Sequence, residues 1–214
     1  MNKFTAAVAG ATGLVGGLLL RRLLDDPEIA LVIAPSRRPL APHPKLSNPS
    51  FDGVSWPALP PLDEAYGCLG TTRKRAGGDE AFRAVDLVLT RSFARAAKAA
   101  GARRFGLVSS ISADKSSRFL YLKTKGEAEA AVSGFGFESV AIARPSFLIG
   151  ARAESRPAEG FGIKMVQILA PVLAGPLRRY RPVLAEDVAA ALVAALRGRV
   201  PGTLILESDA LRAP

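Results

Sequence analysis

The segment Gly10-Ala11-Thr12-Gly13-Leu14-Val15-Gly16 constrains this chain more than any other. It follows the apolar run Phe4 to Ala9, which has the length and composition of a buried strand. It opens directly into Leu14 to Leu24, where Leu14, Leu18, Leu19, Leu23 and Leu24 recur at helical spacing until Asp25-Asp26-Pro27 ends the pattern. Glycines at i, i+3 and i+6 between a strand and a helix permit a tight turn, close backbone approach to a pyrophosphate, and close packing of helix on strand. The helix N-terminus then offers unpaired N–H groups and a positive dipole end to phosphate. A bend in this context predicts a dinucleotide cradle, and a chain that begins strand, glycine turn, helix predicts a parallel sheet.

The alternation continues. Strands are expected at Ile29 to Ala34, Val54 to Trp56, Tyr66 to Leu69, Phe105 to Ser109, Ser139 to Ala143 and Thr203 to Leu206. Helices are expected at Asp79 to Ala100, Ser117 to Val132, Phe161 to Leu169 and Glu186 to Leu196. Strands separated by helices imply an α/β doubly wound parallel sheet with helices on both faces. The 214 residues suit one domain over 1–214, with 151–182 forming a small substrate-side cap within it. Only Pro35 to Pro61, which holds half of the 16 prolines, breaks the rhythm.

Composition removes several chemistries. One histidine, His43, and one cysteine, Cys68, leave no disulfide framework and no His/Cys metal cluster. Nucleophilic catalysis through a histidine base has to run through His43 in a proline-rich stretch, where a rigid base is not expected. The 29 Lys and Arg against 19 Asp and Glu give a net charge of +10, but the cations are scattered in short groups. That pattern predicts attraction to anions without a specific nucleic-acid site. The apolar N-terminal stretch is interrupted by four glycines, and Ile163 to Leu177 contains Lys164, Gln167, Pro171 and Pro176. Neither is a membrane span or export signal, so a soluble cytoplasmic protein is expected.

Two further patterns carry chemistry. The second strand ends in Pro35-Ser36-Arg37-Arg38, with no acid to accept a ribose 2′-hydroxyl. Two guanidiniums there fit a 2′-phosphate, so NADP(H) is expected to be preferred over NAD(H). Tyr121 and Lys125 stand four apart on one helical face. A phenol has a pKa near 10, and a neighbouring ammonium with a cationic nicotinamide would lower it enough for acid/base work. Ser109 and Ser110, at a strand end, are the candidates to hold a substrate carbonyl beside Tyr121; strand-end capping is their structural alternative.

Taken together, the glycine turn, the basic end of strand two, Tyr121-x-x-x-Lys125 and the upstream serines resemble the short-chain dehydrogenases/reductases. Cys68-Leu69-Gly70-Thr71-Thr72-Arg73, Ala113-Asp114-Lys115-Ser116-Ser117, Phe119-Leu120-Tyr121 and Arg144-Pro145 narrow the resemblance to the atypical subfamily of Tat-interacting oxidoreductase-like proteins. The resemblance implies a Rossmann-type fold, NADPH binding and Tyr121 as acid/base. It further implies that Gly10 to Gly16 cradle the pyrophosphate and that Arg37 and Arg38 meet the 2′-phosphate. Leu69, Gly70 and Thr71 would line the ribose, Lys125 would bind the nicotinamide ribose, and the Arg144-Pro145-Ser146-Phe147 turn would face the carboxamide. Where the broader family carries an acid near adenine after the third strand, this chain has Ser55-Trp56-Pro57.

The resulting expectation is an NADPH-dependent oxidoreductase acting on a small carbonyl or alcohol, with Tyr121, Lys125, Ser109 and Ser110 at its centre. An NADPH-binding regulatory or sensor protein without turnover is the alternative. A sugar-nucleotide epimerase is disfavoured because the region after Pro145 is small. Substrate identity and the choice between monomer and homodimer stay open.

Overall fold

The computed structural model describes residues 3–150 and 179–211. Strand β1 (Phe4–Ala9) is buried over Ala6, Ala7, Val8 and Ala9, as expected for a parallel strand covered on both faces. The glycine turn leads into α1 (Leu14–Asp25), whose Val15, Leu19, Leu20 and Leu23 face the core. Pro27, one residue beyond the C-cap, cannot continue the helix. The chain returns as β2 (Ile29–Ile33), then forms β3 (Leu46–Ser47), β4 (Glu64–Gly67), β5 (Arg104–Val108), β6 (Ser139–Arg144) and, near its end, β9 (Gly202–Glu207). These seven strands make one sheet in the order β3-β2-β1-β4-β5-β6-β9, every neighbouring pair parallel. A two-strand parallel ladder joins β7 (Leu148–Ile149) to β8 (Val183–Leu184).

Helix α1 and helix α6 (Ala185–Arg197) cover one face of the sheet, with Leu19, Leu23, Val188, Leu192 and Leu196 buried between them. The other face is covered by α4 (Thr90–Ala99) and α5 (Leu120–Ser133), which pack on Phe93, Phe105, Val132 and Ile142. Strand order reverses at β1, because β2 and β3 lie to one side and β4 onward to the other. In a doubly wound sheet that reversal opens a crevice at the carboxyl ends of the strands.

Several expectations are corrected. Val54 to Trp56 is loop, with Val54 74 % exposed, and the third strand is the short Leu46–Ser47 inside the proline-rich stretch. Prolines at 42, 44 and 49 flank this pair, and a residue without an N–H is tolerated at a sheet edge. The long helix expected from Asp79 to Ala100 is continuous but not uniform. It begins as α3 (Asp79–Arg83), widens into π-helical turns over Ala84–Leu89, and resumes as α4. A short helix α2 (Arg73–Ala76) precedes it, and α5 starts at Leu120 rather than Ser117. The helix expected at Phe161 to Leu169, and most of the cap, lie outside the described residues.

The amino ends of the strands hold a separate charge cluster. Glu64, fully buried, meets Arg104 at 3.2 Å and Arg197 at 3.5 Å and accepts a hydrogen bond from Tyr66 at 3.0 Å. Burial raises the Glu64 carboxyl above its ordinary value despite the two guanidiniums, and drives the Tyr66 phenol well up. Arg104, Arg197 and Arg199 all lie over the Phe4 ring. Part of the chain's excess arginine is therefore structural.

Candidate active site

The carboxyl ends of β1, β2 and β4 bound a cleft of about 480 Å³. Gly10, Ala11 and Thr12 form its floor, Arg37 and Arg38 one wall, and Leu69 another. Gly10 has φ +84°, and a Cβ there would stand 2.5 Å from the Cys68 carbonyl oxygen, so glycine is required by both conformation and space. A Cβ on Gly16 would stand 2.1 Å from the Gly10 oxygen, which is how closely α1 is laid on the turn. Gly13 is the N-cap of α1 and supplies no side-chain cap, so the first-turn N–H groups of that helix keep their capacity for an anion. Within the motif the roles divide: Val15 and Gly16 are buried in packing, whereas Gly10 to Thr12 line the cleft.

On α5, Tyr121 and Lys125 share a face as the spacing predicts, but their environments differ sharply. Tyr121 is 39 % exposed and stacks on Phe82 with ring centroids 5.7 Å apart. Lys125 is buried, its Nζ 2.6 Å from Asp86 Oδ1 in an ion pair without an aligned hydrogen bond. The other Asp86 oxygen accepts the Thr71 N–H at 2.9 Å, and a Cβ on Gly70 would lie 3.8 Å from both Asp86 Oδ1 and Lys125 Nζ. The structure thus brings Gly70, Thr71 and Lys125 together around Asp86, a residue that belongs to none of the sequence motifs. The signal was present: Phe82, Asp86, Thr90, Phe93 and Ala97 form the buried stripe of the helix, and one of its members is a carboxylate. The π-helical turns carry that carboxylate, a position where such bulges are often found.

Ser109 and Ser110 are both buried at the end of β5. The Ser109 hydroxyl donates to Glu129 Oε1, so its proton is committed within the protein. Glu129 in turn receives Arg144 Nε at 3.0 Å and a second Arg144 nitrogen at 2.6 Å, and Arg144 also reaches Glu207 at 3.0 Å. The two carboxylates raise the Arg144 guanidinium, and this side chain acts as a brace between β6, α5 and β9. The backbone of its turn is engaged as well: Pro145 accepts from Ile111, Ser146 N–H donates to Ser208, and Phe147 accepts from Val183. Phe147 itself is 72 % exposed. Glu129 stands at the same four-residue interval as Tyr121 and Lys125, a continuation of the polar stripe that could have marked it.

The cleft includes residues beyond those expected. Ser36, Phe51, Trp56 and Arg75 line it. Phe51 and Trp56 stack with centroids 4.1 Å apart, and the indole N–H donates to Ser92 at 2.9 Å. Apolar surroundings push the Cys68 thiol up to about 12, which leaves it a thiol at neutral pH. Among the described residues no cluster of His, Cys, Asp and Glu could hold a metal.

No protein-family model matches the chain. Among curated proteins, fmp52 of Aspergillus fumigatus, named a mitochondrial protein, is 43 % identical over 164 residues, covering 72 % of this chain and 70 % of the relative. Protein HTATIP2 of Rattus norvegicus is 38 % identical over 167 residues, covering 74 % of this chain and 69 % of that one. The chain belongs to the FMP52/HTATIP2 family of atypical short-chain dehydrogenases/reductases. Among solved structures, WbmH of Bordetella bronchiseptica, in complex with NAD+, superposes with a TM-score of 0.71 at 16 % identity, over 97 % of this chain and 76 % of that one. The likeness confirms the Rossmann-type doubly wound fold. The expectation of a cytoplasmic protein is overturned, because FMP52/HTATIP2 relatives from several fungi are named mitochondrial. That expectation rested on the lack of a span or export signal, and organelle addresses are separate signals that the core of a fold does not carry. No helix among the described residues is long and apolar enough to cross a membrane.

Proposed function

We propose that this protein binds NADPH in the cleft and uses it in an oxidoreduction of a small carbonyl or alcohol, with Tyr121 as the proton donor and acceptor. The observation that carries this reading is the cleft's glycine floor and its basic wall without a carboxylate; Lys125, 3.8 Å from a Cβ on Gly70 and so next to the lining residue Leu69, supports it from outside the lining. The residues fit the cofactor. The uncapped start of α1 suits a pyrophosphate, Arg37 and Arg38 suit a 2′-phosphate, and the cleft lining contains no acid that would repel it. When bound, NADPH supplies the hydride.

The chain's own residues do the rest. Asp86 holds the Lys125 ammonium in place, which gives Lys125 the task of positioning the nicotinamide ribose from beneath Gly70. Tyr121, with its ring steadied by Phe82 and its edge exposed, delivers a proton to the substrate oxygen. Ser110 has no side-chain hydrogen bond to a described residue, whereas the Ser109 proton is occupied by Glu129, so Ser110 is the serine better suited to orient that oxygen. The same commitment of Ser109 favours the second reading, a cofactor-binding sensor without turnover.

One experiment separates the two. Wild type and Tyr121→Phe are titrated with NADPH by fluorescence and assayed on a panel of aldehydes, ketones and quinones. Turnover in wild type that falls by about 10²–10⁴-fold in Tyr121→Phe, with NADPH affinity retained, supports the enzyme. Binding in both without turnover in either supports the sensor.

A further inference from the structure

We propose that Arg75 is a third cation for the adenosine 2′-phosphate and a determinant of NADPH over NADH, an inference that rests on the cofactor reading above. Arg75 reaches the cleft from the far side of the sequence, on α2, and lines it together with Arg37 and Arg38. The two halves of this basic wall come from the carboxyl ends of different strands, β2 and β4, so the cluster exists only in the folded chain. The lining holds three guanidiniums and no carboxylate. Three exposed arginines lining one cleft give it a positive field that a dianionic group seated there would complement.

The neighbours of Arg75 show that its state is particular to it. Arg73, on the same helix, is neutralised by Asp79. Arg75 has no side-chain hydrogen bond or ion pair to any described residue, although acidic partners are near at hand for Arg73. The backbone, not a side-chain partner, sets its position. Its N–H donates to Thr72 Oγ1 at 3.2 Å, and Gly77, in the left-handed region at φ +91°, closes the helix by donating to the Arg73 carbonyl. A short helix capped at both ends presents an unneutralised guanidinium to the cleft opposite an aromatic wall of Phe51 and Trp56.

Trp56 is the chain's one tryptophan, so the cleft has a built-in reporter. Quenching of Trp56 fluorescence and calorimetry are used to titrate wild type, Arg75→Ala and Arg75→Lys with NADPH, NADH, adenosine 2′,5′-bisphosphate and adenosine 5′-monophosphate. Arg75→Ala is expected to weaken NADPH and the bisphosphate about tenfold, the loss of one charge-assisted hydrogen bond, with NADH and the monophosphate changed less than about twofold. Arg75→Lys should fall between the two, because it keeps charge but loses the guanidinium fork. Since Arg75 is exposed, its variants should melt with wild type. Equal weakening of all four ligands, or unchanged NADPH affinity in Arg75→Ala, overturns the assignment while leaving the cofactor reading intact. Wild type that prefers NADH, or binds neither nucleotide, overturns the cofactor reading and this inference with it.

Discussion

Replacing Gly126 with alanine sets local preference against tertiary contact, and the structure decides the sign. Gly126 lies inside α5, where alanine is the better helix former by about 1 kcal/mol. A Cβ at this position, however, would stand 2.2 Å from the Lys115 nitrogen and 2.3 Å from the Asp114 carbonyl carbon. Both atoms are backbone, and the segment is further tied down by the Asp114 N–H donating to the Leu122 carbonyl at 3.1 Å. An ordinary contact requires the two chains to part by about 1 Å, and overpacking of this kind costs about 1–3 kcal/mol. With two backbone clashes the upper end applies, so the net loss after the propensity gain is about 2 kcal/mol. For a chain of this size that corresponds to a drop in melting temperature of about 4–8 °C. Scanning calorimetry on Gly126→Ala measures it directly. Gly134→Ala is the control from the end of the same helix, because its Cβ would meet only ordinary contacts at 3.4 Å and beyond, and little change is expected. If Gly126→Ala melts above wild type by the amount that propensity alone provides, the close packing of α5 on residues 114–115 is refuted.

Two further outcomes follow from the charges. Asp86→Ala strands the buried Lys125 ammonium and should cost about 3–5 kcal/mol in urea unfolding, whereas adding Lys125→Met to it should restore much of the loss; a double variant whose loss equals the sum of the two single losses would show that the pair is not coupled. The Ser116 hydroxyl and N–H lower the Asp114 carboxyl below its ordinary value of 3.8, so this contribution is complete above the unfolded value and lost as pH falls through the lower folded one. Ser116→Ala should therefore be less stable than wild type at neutral pH and converge with it in acid melts well below pH 3.8, and a gap that persists there would contradict the linkage.

The legible parts of this fold share a physical basis. β1, α1 and β2 were readable because a continuous apolar run, a period near 3.6 and a proline stop are local signals, and each strand core fell within a residue or two of its expected place. β3 was misplaced because two residues at a sheet edge gain little from their own side chains; pairing with β2 at Val32 and Ile33 makes them a strand. The π-helical turns inside the long helix were equally hidden, since the Ala84–Leu89 run is mostly apolar in either winding and carries no local signal for the wider turn. In the site, the Gly10 to Gly16 turn and the Tyr121–Lys125 interval are short-range patterns and stood out. Asp86, Glu129 and Arg75 did not, because each acquires its role from a partner or a wall supplied by a distant segment.

By itself, then, the sequence determined the alternation of the main strands and helices, the glycine turn and the basic end of β2, all of which are encoded within a turn or two of chain. Tertiary structure alone decided that Lys125 is neutralised by Asp86, that the Ser109 proton belongs to Glu129, and that Arg75 joins Arg37 and Arg38. The reason is that charge compensation depends on which groups share a buried or concave space. A parallel sheet makes those neighbours from strand ends that lie tens of residues apart.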